Sequence, residues 1–110
     1  MSRLRERNNK PLMDAHWCRA MATLLASGLN AEQTFTALKG QAGRNHRLAH
    51  ACSEALIDIG QGASFVSALA RHKFFNRYQL EQVKIGELSG GLPITLINIA
   101  NRLNQKHERN

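Results

Sequence analysis

The residues with the most chemical interest lie in one short segment near the C-terminal end, GELSGGLP, residues 86–93. Its glycines and proline surround a single carboxylate, Glu87. Such a segment could cradle a phosphate, supply a general base, or turn the chain between two helices. A phosphate loop follows a strand and carries a lysine, whereas a catalytic carboxylate needs a titratable partner or a metal. The sequence supplies none of these, and we therefore predict a tight corner between two helices.

Each residue of this corner has a predicted structural task. Gly86 lies inside a helical pattern, where glycine costs about 1 kcal/mol relative to alanine, so we expect a neighbouring helix to approach it closely. We expect Glu87 to accept hydrogen bonds across the helix junction, and Gly90 and Gly91 to turn the chain. The predicted helix-corner motif is Gly86, Glu87, Ser89, Gly90 and Leu92.

Histidines and cysteines offer two further kinds of chemistry. His46 and His50 are four residues apart and Glu54 continues their stripe, a spacing that fits either a metal site or a solvated helix face. No HExxH pattern and no third nitrogen or sulfur ligand accompanies them, so we predict neither a metal nor a cofactor. Cys18 and Cys52 lie within apolar helical patterns, which indicates buried free thiols rather than a disulfide.

Basic residues predict an anionic partner. Lysine and arginine outnumber aspartate and glutamate by 15 to 8, which gives a formal charge of +7. In RHKFFNRY, residues 71–78, aromatic and basic side chains alternate as they do in proteins that bind single-stranded nucleic acid. A corner with two rings packed inward explains the same segment. We identify four candidate contacts with acidic partners or lipid headgroups: Arg44, Arg47, Arg71 and Lys73.

The elements that position these residues are predicted to be helices. Apolar residues recur at spacings of three and four, and glycine-containing segments separate the runs. Glycines are expected to end the first helix at Gly28, the second within residues 40–43, the third within residues 60–62 and the fifth at Gly90. The predicted helix starts are Pro11, Asn30, Asn45, Ser64, Asn76 and Pro93. The predicted fold is an all-α, six-helix antiparallel bundle built from helical hairpins.

The last predicted helix, which runs to about residue 107, is unusually apolar. Its isoleucines widen the apolar face nearly all round, so we expect the helix to be central in the bundle or shared with a second copy of the chain. The candidate core or self-association face consists of Leu92, Leu96, Ile97 and Leu103.

Three segments, in register, resemble the cytoplasmic domain of the type II secretion F family. They are MATLLASGLNAEQTFTAL, IGQGASFVSALARHKFF and IGELSGGLPITLINIANRL, and the likeness covers about residues 13–107. These proteins are inner-membrane platforms of type II secretion systems and type IV pilus assembly machines. The resemblance implies a six-helix domain over residues 12–108, and the polar, basic composition of residues 1–11 predicts a flexible lead before it. It also implies a longer, polytopic membrane protein, with a spanning helix expected after Asn110.

By the same resemblance, the domain is expected to be a non-catalytic adaptor at the cytoplasmic face of the bacterial inner membrane. Its expected partners are the assembly ATPase, other platform subunits and a second copy of itself. Lys73 stands where the family usually has proline, and the lead is short, which leaves open whether the chain serves secretion or pilus assembly. The alternatives are a basic helical module that binds nucleic acid and a small enzyme, for which the sequence shows no convergent set of polar residues.

Overall fold

The computed structural model describes residues 10–109 of the chain, and the side chains of residues 10–105. Within that range every regular element is an α-helix, which confirms the predicted all-α class. The six helices are α1 (Ala15–Ala26), α2 (Ala31–Ala42), α3 (His46–Gly60), α4 (Phe65–Arg71), α5 (Arg77–Ser89) and α6 (Leu92–Arg109). Most of the predicted basic lead, residues 1–9, lies outside the described part.

Polar side chains set the starts of the middle helices, because they accept bonds from the free N–H groups of the first turn. At α2, Asn30 Oδ1 accepts from the Gln33 backbone N–H at 2.8 Å, and Gln33 Oε1 accepts from the Asn30 N–H at 3.0 Å. Asn76 and Gln79 form the same capping box at α5, at 2.7 and 3.0 Å. The predicted caps of α3 and α4 are also present, at Asn45 and Ser64.

The predicted start of the first helix at Pro11 is wrong. The helix begins at Ala15, and Asp14 is its cap, since its carboxylate accepts from the Trp17 backbone N–H at 2.9 Å. The two residues after Pro11 instead pair with a distant segment of the chain. The Leu12 N–H donates to the Lys73 carbonyl and the Met13 N–H donates to the Phe74 carbonyl, each at 3.1 Å. A long-range backbone pairing of this kind leaves no local signal in the sequence.

The second helix continues past Gly40 and ends at Ala42. Gly43 follows with a φ of 55°, in the left-handed region that favours glycine. A Cβ on Gly40 would meet no other atom within 4 Å, so this glycine is an ordinary exposed helical residue. Of the two glycines in residues 40–43, where the helix was predicted to end, the chain therefore leaves the helix at the second, Gly43.

Antiparallel pairs of helices build the bundle. The most extensive packing is between α1 and α6, and Arg19 Nη2 in α1 donates to Asn101 Oδ1 in α6 at 3.0 Å. The opposite end of α1, Ala22–Ala26, lies beside the first turns of α6. A second extensive pair is α2 with α3, and α5 packs on α6. These contacts agree with the predicted antiparallel arrangement.

The centre of the core contains three phenylalanine rings from three different elements. Phe35 in α2 is fully buried, and its ring centroid lies 5.1 Å from that of Phe65 in α4. The Phe74 ring, from the segment after α4, lies 5.5 Å from Phe35 on centroids. Tilted ring pairs at these separations add to the free energy gained from burial alone. The rings therefore join α2, α4 and the α4–α5 connection into one core.

Both cysteines are free and fully buried, as predicted. The pKa of the Cys18 thiol is raised from 9.0 to about 12, mainly by burial and to a smaller extent by the nearby Asp14 carboxylate, against the lowering effect of Arg19. Burial likewise raises the pKa of Cys52 to about 11, against the lowering effect of Lys39. Neither thiol is therefore a nucleophile at neutral pH.

These two pKa values predict a loss of stability in alkaline solution. Well below pH 9 the thiols are protonated in both the folded and the unfolded chain, so they contribute no pH dependence to the stability. Above pH 9 the unfolded chain ionises its thiols while the folded chain retains the protons until about pH 11 to 12. We expect the free energy of unfolding, measured with urea, to fall across this range. A Cys18→Ala, Cys52→Ala variant should fall less steeply, and equal slopes would contradict the assignment.

No helix within residues 10–109 is both long enough and apolar enough to cross a bilayer.

Candidate functional site

Three of the four predicted contact residues line one surface cleft. Arg47 lies in the first turn of α3, whereas Arg71 and Lys73 lie at the end of α4 and just after it. The fourth residue, Arg44, is exposed but does not line this cleft. We define the basic cleft, a depression of about 280 Å³, by the side chains of Arg47, His50, Glu54, Arg71, His72 and Lys73.

A buried carboxylate that the sequence analysis overlooked organises one wall of the cleft. Asp58 in α3 is almost fully buried, and its Oδ2 lies 2.5 Å from His72 Nε2. Its Oδ1 lies 3.5 Å from Arg71 Nη1. Asp58 falls on the same inner stripe as Leu48 and Ala55, where an acidic residue signals a buried polar contact. The helical spacing of this stripe could have identified Asp58 as a buried carboxylate, but it could not have identified Arg71 and His72 as its partners.

His46 and His50 lie in different surroundings. His50 and Glu54 both line the basic cleft, whereas His46, which shares their stripe, does not. Among the described side chains, no group of three or more histidine, cysteine, aspartate or glutamate residues could hold a metal ion. Of the three residues whose spacing fitted a metal site, His50 and Glu54 thus line a predominantly basic depression.

The aromatic residues of the segment 71–78 mostly face the core. Phe74 and Phe75 are buried, as the corner interpretation predicted. Tyr78 is exposed, and its hydroxyl accepts a hydrogen bond from Arg102 Nη1 at 2.6 Å. A platform for single-stranded nucleic acid needs several exposed rings between basic residues, and this segment offers one.

The corner between α5 and α6 has the geometry predicted for its glycines. Gly86 is buried, and a Cβ at this position would lie 2.4 Å from Thr95 Oγ1 and 3.0 Å from Thr95 Cβ. Gly90 ends α5 with a φ of 76°, and the Gly91 N–H donates to the Gly86 carbonyl at 2.9 Å. The absence of a side chain at Gly86 therefore lets α6 approach α5 closely, and Gly90 supplies the left-handed turn.

The other three residues of the predicted motif contribute unequally. Ser89 Oγ donates to the Gly86 carbonyl at 3.2 Å, and Leu92 is half-buried against the core. Glu87 is exposed, and its carboxylate has no hydrogen bond or ion pair to any other side chain or backbone group of the described part. The expected Glu87 bond across the junction is not observed; the Gly90 and Gly91 N–H groups instead donate to the carbonyls of Glu87 and Gly86, which closes the end of α5.

The predicted apolar face of α6 is largely used within the bundle. Leu96 is fully buried, and Leu92, Ile97 and Leu103 are half-buried against the core. Ile94, by contrast, is 69% exposed. Beside it, α1 and α6 enclose an apolar groove of about 250 Å³, which we call the α1–α6 groove; its lining is Ala22, Thr23, Ala26, Pro93, Ile94 and Ile97.

Comparison with known proteins confirms the resemblance seen in the sequence. Residues 17–110 match the family described as type II secretion system (T2SS), protein F. The type IV pilus assembly protein PilC of Thermus thermophilus is 33% identical over 94 residues, which cover 86% of this chain and 23% of that protein. The chain thus spans about a quarter of the length of this relative. The family is one of non-catalytic platform proteins of type II secretion and type IV pilus assembly. This chain therefore belongs to the type II secretion system protein F family.

Proposed function

We propose that the chain is a cytoplasmic adaptor domain of an inner-membrane platform protein, which couples an assembly ATPase to the assembly of pilin or pseudopilin subunits. The observation that carries this proposal is the family match over residues 17–110. A relative named for type IV pilus assembly supports the pilus context. In this role the helical bundle transmits force between the ATPase and the membrane part of the platform.

Binding to the cognate assembly ATPase tests the adaptor role. The chain would be immobilised, and the purified ATPase passed over it with ATP, with ADP and without nucleotide. We expect saturable binding in at least one nucleotide state, weakened by salt because the exposed cations contribute to association. An unrelated hexameric ATPase is the control. Absence of binding in all three states would refute the adaptor role.

Self-association is a second part of the proposal, and the α1–α6 groove is the surface that supports it best. Ile94 is a large, exposed apolar residue at the rim of an apolar groove, which is the usual composition of a contact between proteins. A second copy that covers Ile94 and Ile97 would remove both from water. The predicted face on α6 contributes to this dimer through Ile97, since Leu96 is already fully buried within one copy.

The Ile94→Asp variant tests this dimer. Burying an isoleucine side chain contributes about 1.5 to 3 kcal/mol, and a symmetric dimer buries Ile94 of both copies, so the substitution should raise the dimer dissociation constant at least about 100-fold. Light scattering over a concentration series would measure it. Leu88→Asp is the matched control, because Leu88 is 87% exposed but does not line the groove. A monomeric wild-type chain, or equal weakening by both variants, would contradict the proposal.

A further inference from the structure

The basic cleft brings together donors from two separate parts of the chain. Arg47 and His50 lie three residues apart on one face of α3, whereas Arg71, His72 and Lys73 are consecutive around the end of α4. Leu12 and Ala51 complete the lining. Among the described residues, three cationic side chains and two imidazoles therefore line one small depression together with the Glu54 carboxylate, and the Asp58 carboxylate contacts Arg71 and His72.

Contacts with the rest of the fold hold these donors in place. Arg47 Nη2 donates to the Lys10 carbonyl at 3.2 Å. Asp58 anchors Arg71 and His72 from behind the cleft. The Arg71 side chain is nevertheless 65% exposed, so most of its guanidinium N–H groups still face solvent. Donors fixed before a ligand arrives lose less conformational entropy on binding.

The backbone of the cleft is also constrained at Lys73. Its φ is 58°, the only positive φ of a non-glycine residue in the described part of the chain. Such a conformation is unfavourable for a residue that has a side chain, and it persists only where the surroundings enforce it. Here the Leu12 N–H bonds to the Lys73 carbonyl, and the next carbonyl, that of Phe74, accepts from Met13. These two backbone bonds therefore fix the end of the segment that carries Arg71, His72 and Lys73, three of the five donors.

This arrangement suits a tetrahedral oxyanion better than a single carboxylate. One arginine can satisfy a planar carboxylate through two parallel hydrogen bonds. A phosphate group presents more oxygens, in more directions, and accepts from several cations at once. The cleft offers guanidinium, ammonium and imidazole donors from two separate helices and the segment after α4, and its volume of about 280 Å³ admits a group of phosphate size.

We propose that the basic cleft binds a phosphate group, carried by the headgroup of an anionic lipid or by a small soluble phosphate. The candidate contacts of Arg47, Arg71 and Lys73 were acidic partners or lipid headgroups, and the proposal specifies a phosphate group as their ligand. Arg44 lies outside the site. The inference does not depend on the adaptor role, because phosphate binding is a property of the isolated chain. A chain that binds no ATPase can still bind phosphate, and the reverse also holds.

The test is a titration of the isotopically labelled chain with sodium phosphate, followed by two-dimensional amide NMR, with sodium chloride of equal ionic strength as the reference. We expect saturable shifts confined to residues near 47–54 and 71–73. Arg47→Gln and Lys73→Gln should each weaken binding at least about tenfold. Arg44→Gln is the matched control, since it removes the same charge outside the cleft, and it should leave the affinity unchanged. Thermal unfolding would verify that each variant is folded.

Vesicles separate the two sources of phosphate. If a lipid headgroup is the ligand, the chain should sediment with phosphatidylglycerol vesicles but not with phosphatidylcholine vesicles, and Arg47→Gln should abolish sedimentation. If a soluble phosphate is the ligand, NMR shifts should appear without vesicle binding. The proposal is overturned if neither probe binds, if Arg44→Gln weakens binding as much as Arg47→Gln, or if a glutamate-rich peptide alone occupies the cleft.

Discussion

Replacing Phe35 by alanine is expected to lower the free energy of unfolding by about 3–5 kcal/mol, the largest effect of any single change considered for this chain. Phe35 is fully buried and contacts the rings of both Phe65 and Phe74, so the truncation removes apolar burial and two aromatic contacts and leaves a cavity. Domains of this size have a total stability of about 5–15 kcal/mol. The variant should therefore lie near the limit of folding.

Urea unfolding followed by circular dichroism measures this loss. Phe35→Leu should cost less than Phe35→Ala, because leucine refills most of the volume. Leu88→Ala is the control for side-chain size at the surface, and we expect a change within about 0.5 kcal/mol, since Leu88 is almost fully exposed. A loss below about 1 kcal/mol for Phe35→Ala would contradict a core centred on this ring.

Replacing Gly86 by alanine is expected to destabilise the chain, although alanine is normally preferred inside a helix. The gain in helix propensity is about 1 kcal/mol. The new Cβ would lie 2.4 Å from Thr95 Oγ1 and 3.0 Å from Thr95 Cβ, so α5 and α6 would have to separate. Overpacking of this kind typically costs about 1–3 kcal/mol, and we expect the net change to be a loss of stability.

Two comparisons isolate the close approach as the cause. Gly40→Ala is the matched control, because a Cβ there meets nothing within 4 Å, and it should be neutral or stabilising by up to about 1 kcal/mol. Thr95→Ala should recover part of the loss in a double-mutant cycle, with a coupling of about 1 kcal/mol. If Gly86→Ala were as benign as Gly40→Ala, α5 and α6 would not be in contact at this point.

The sequence predicted the parts of the fold that local chemistry determines. Asn30 with Gln33 and Asn76 with Gln79 are capping pairs three residues apart, and each can be identified without knowledge of its tertiary neighbours. The left-handed turn at Gly90 follows in the same way from the residue type. These signals are enough to give six helices within the described range and their order.

Several features that depend on distant contacts were wrong or missed, although the close approach at Gly86 was predicted. Pro11 fits a helix start by local rules, but residues 12 and 13 pair with the segment after α4, and that pairing prevails. The Glu87 carboxylate was expected to bond across the junction of α5 and α6, but it is exposed, and backbone bonds close the end of α5. The basic cleft joins residues of α3 with residues around the end of α4, and Asp58 contacts two of them from the otherwise apolar inner stripe of α3. Only the packing of α3 against α4 places these residues side by side.

Hydrogen exchange of the chain mixed with the assembly ATPase proposed as its partner is the most direct test of whether this domain contacts that motor. If the domain contacts the ATPase, we expect slower exchange over one contiguous surface that includes the end of α4, where exposed cations are concentrated, and unchanged exchange elsewhere. Unchanged exchange in every helix, with the ATPase at saturating concentration in each nucleotide state, would contradict it.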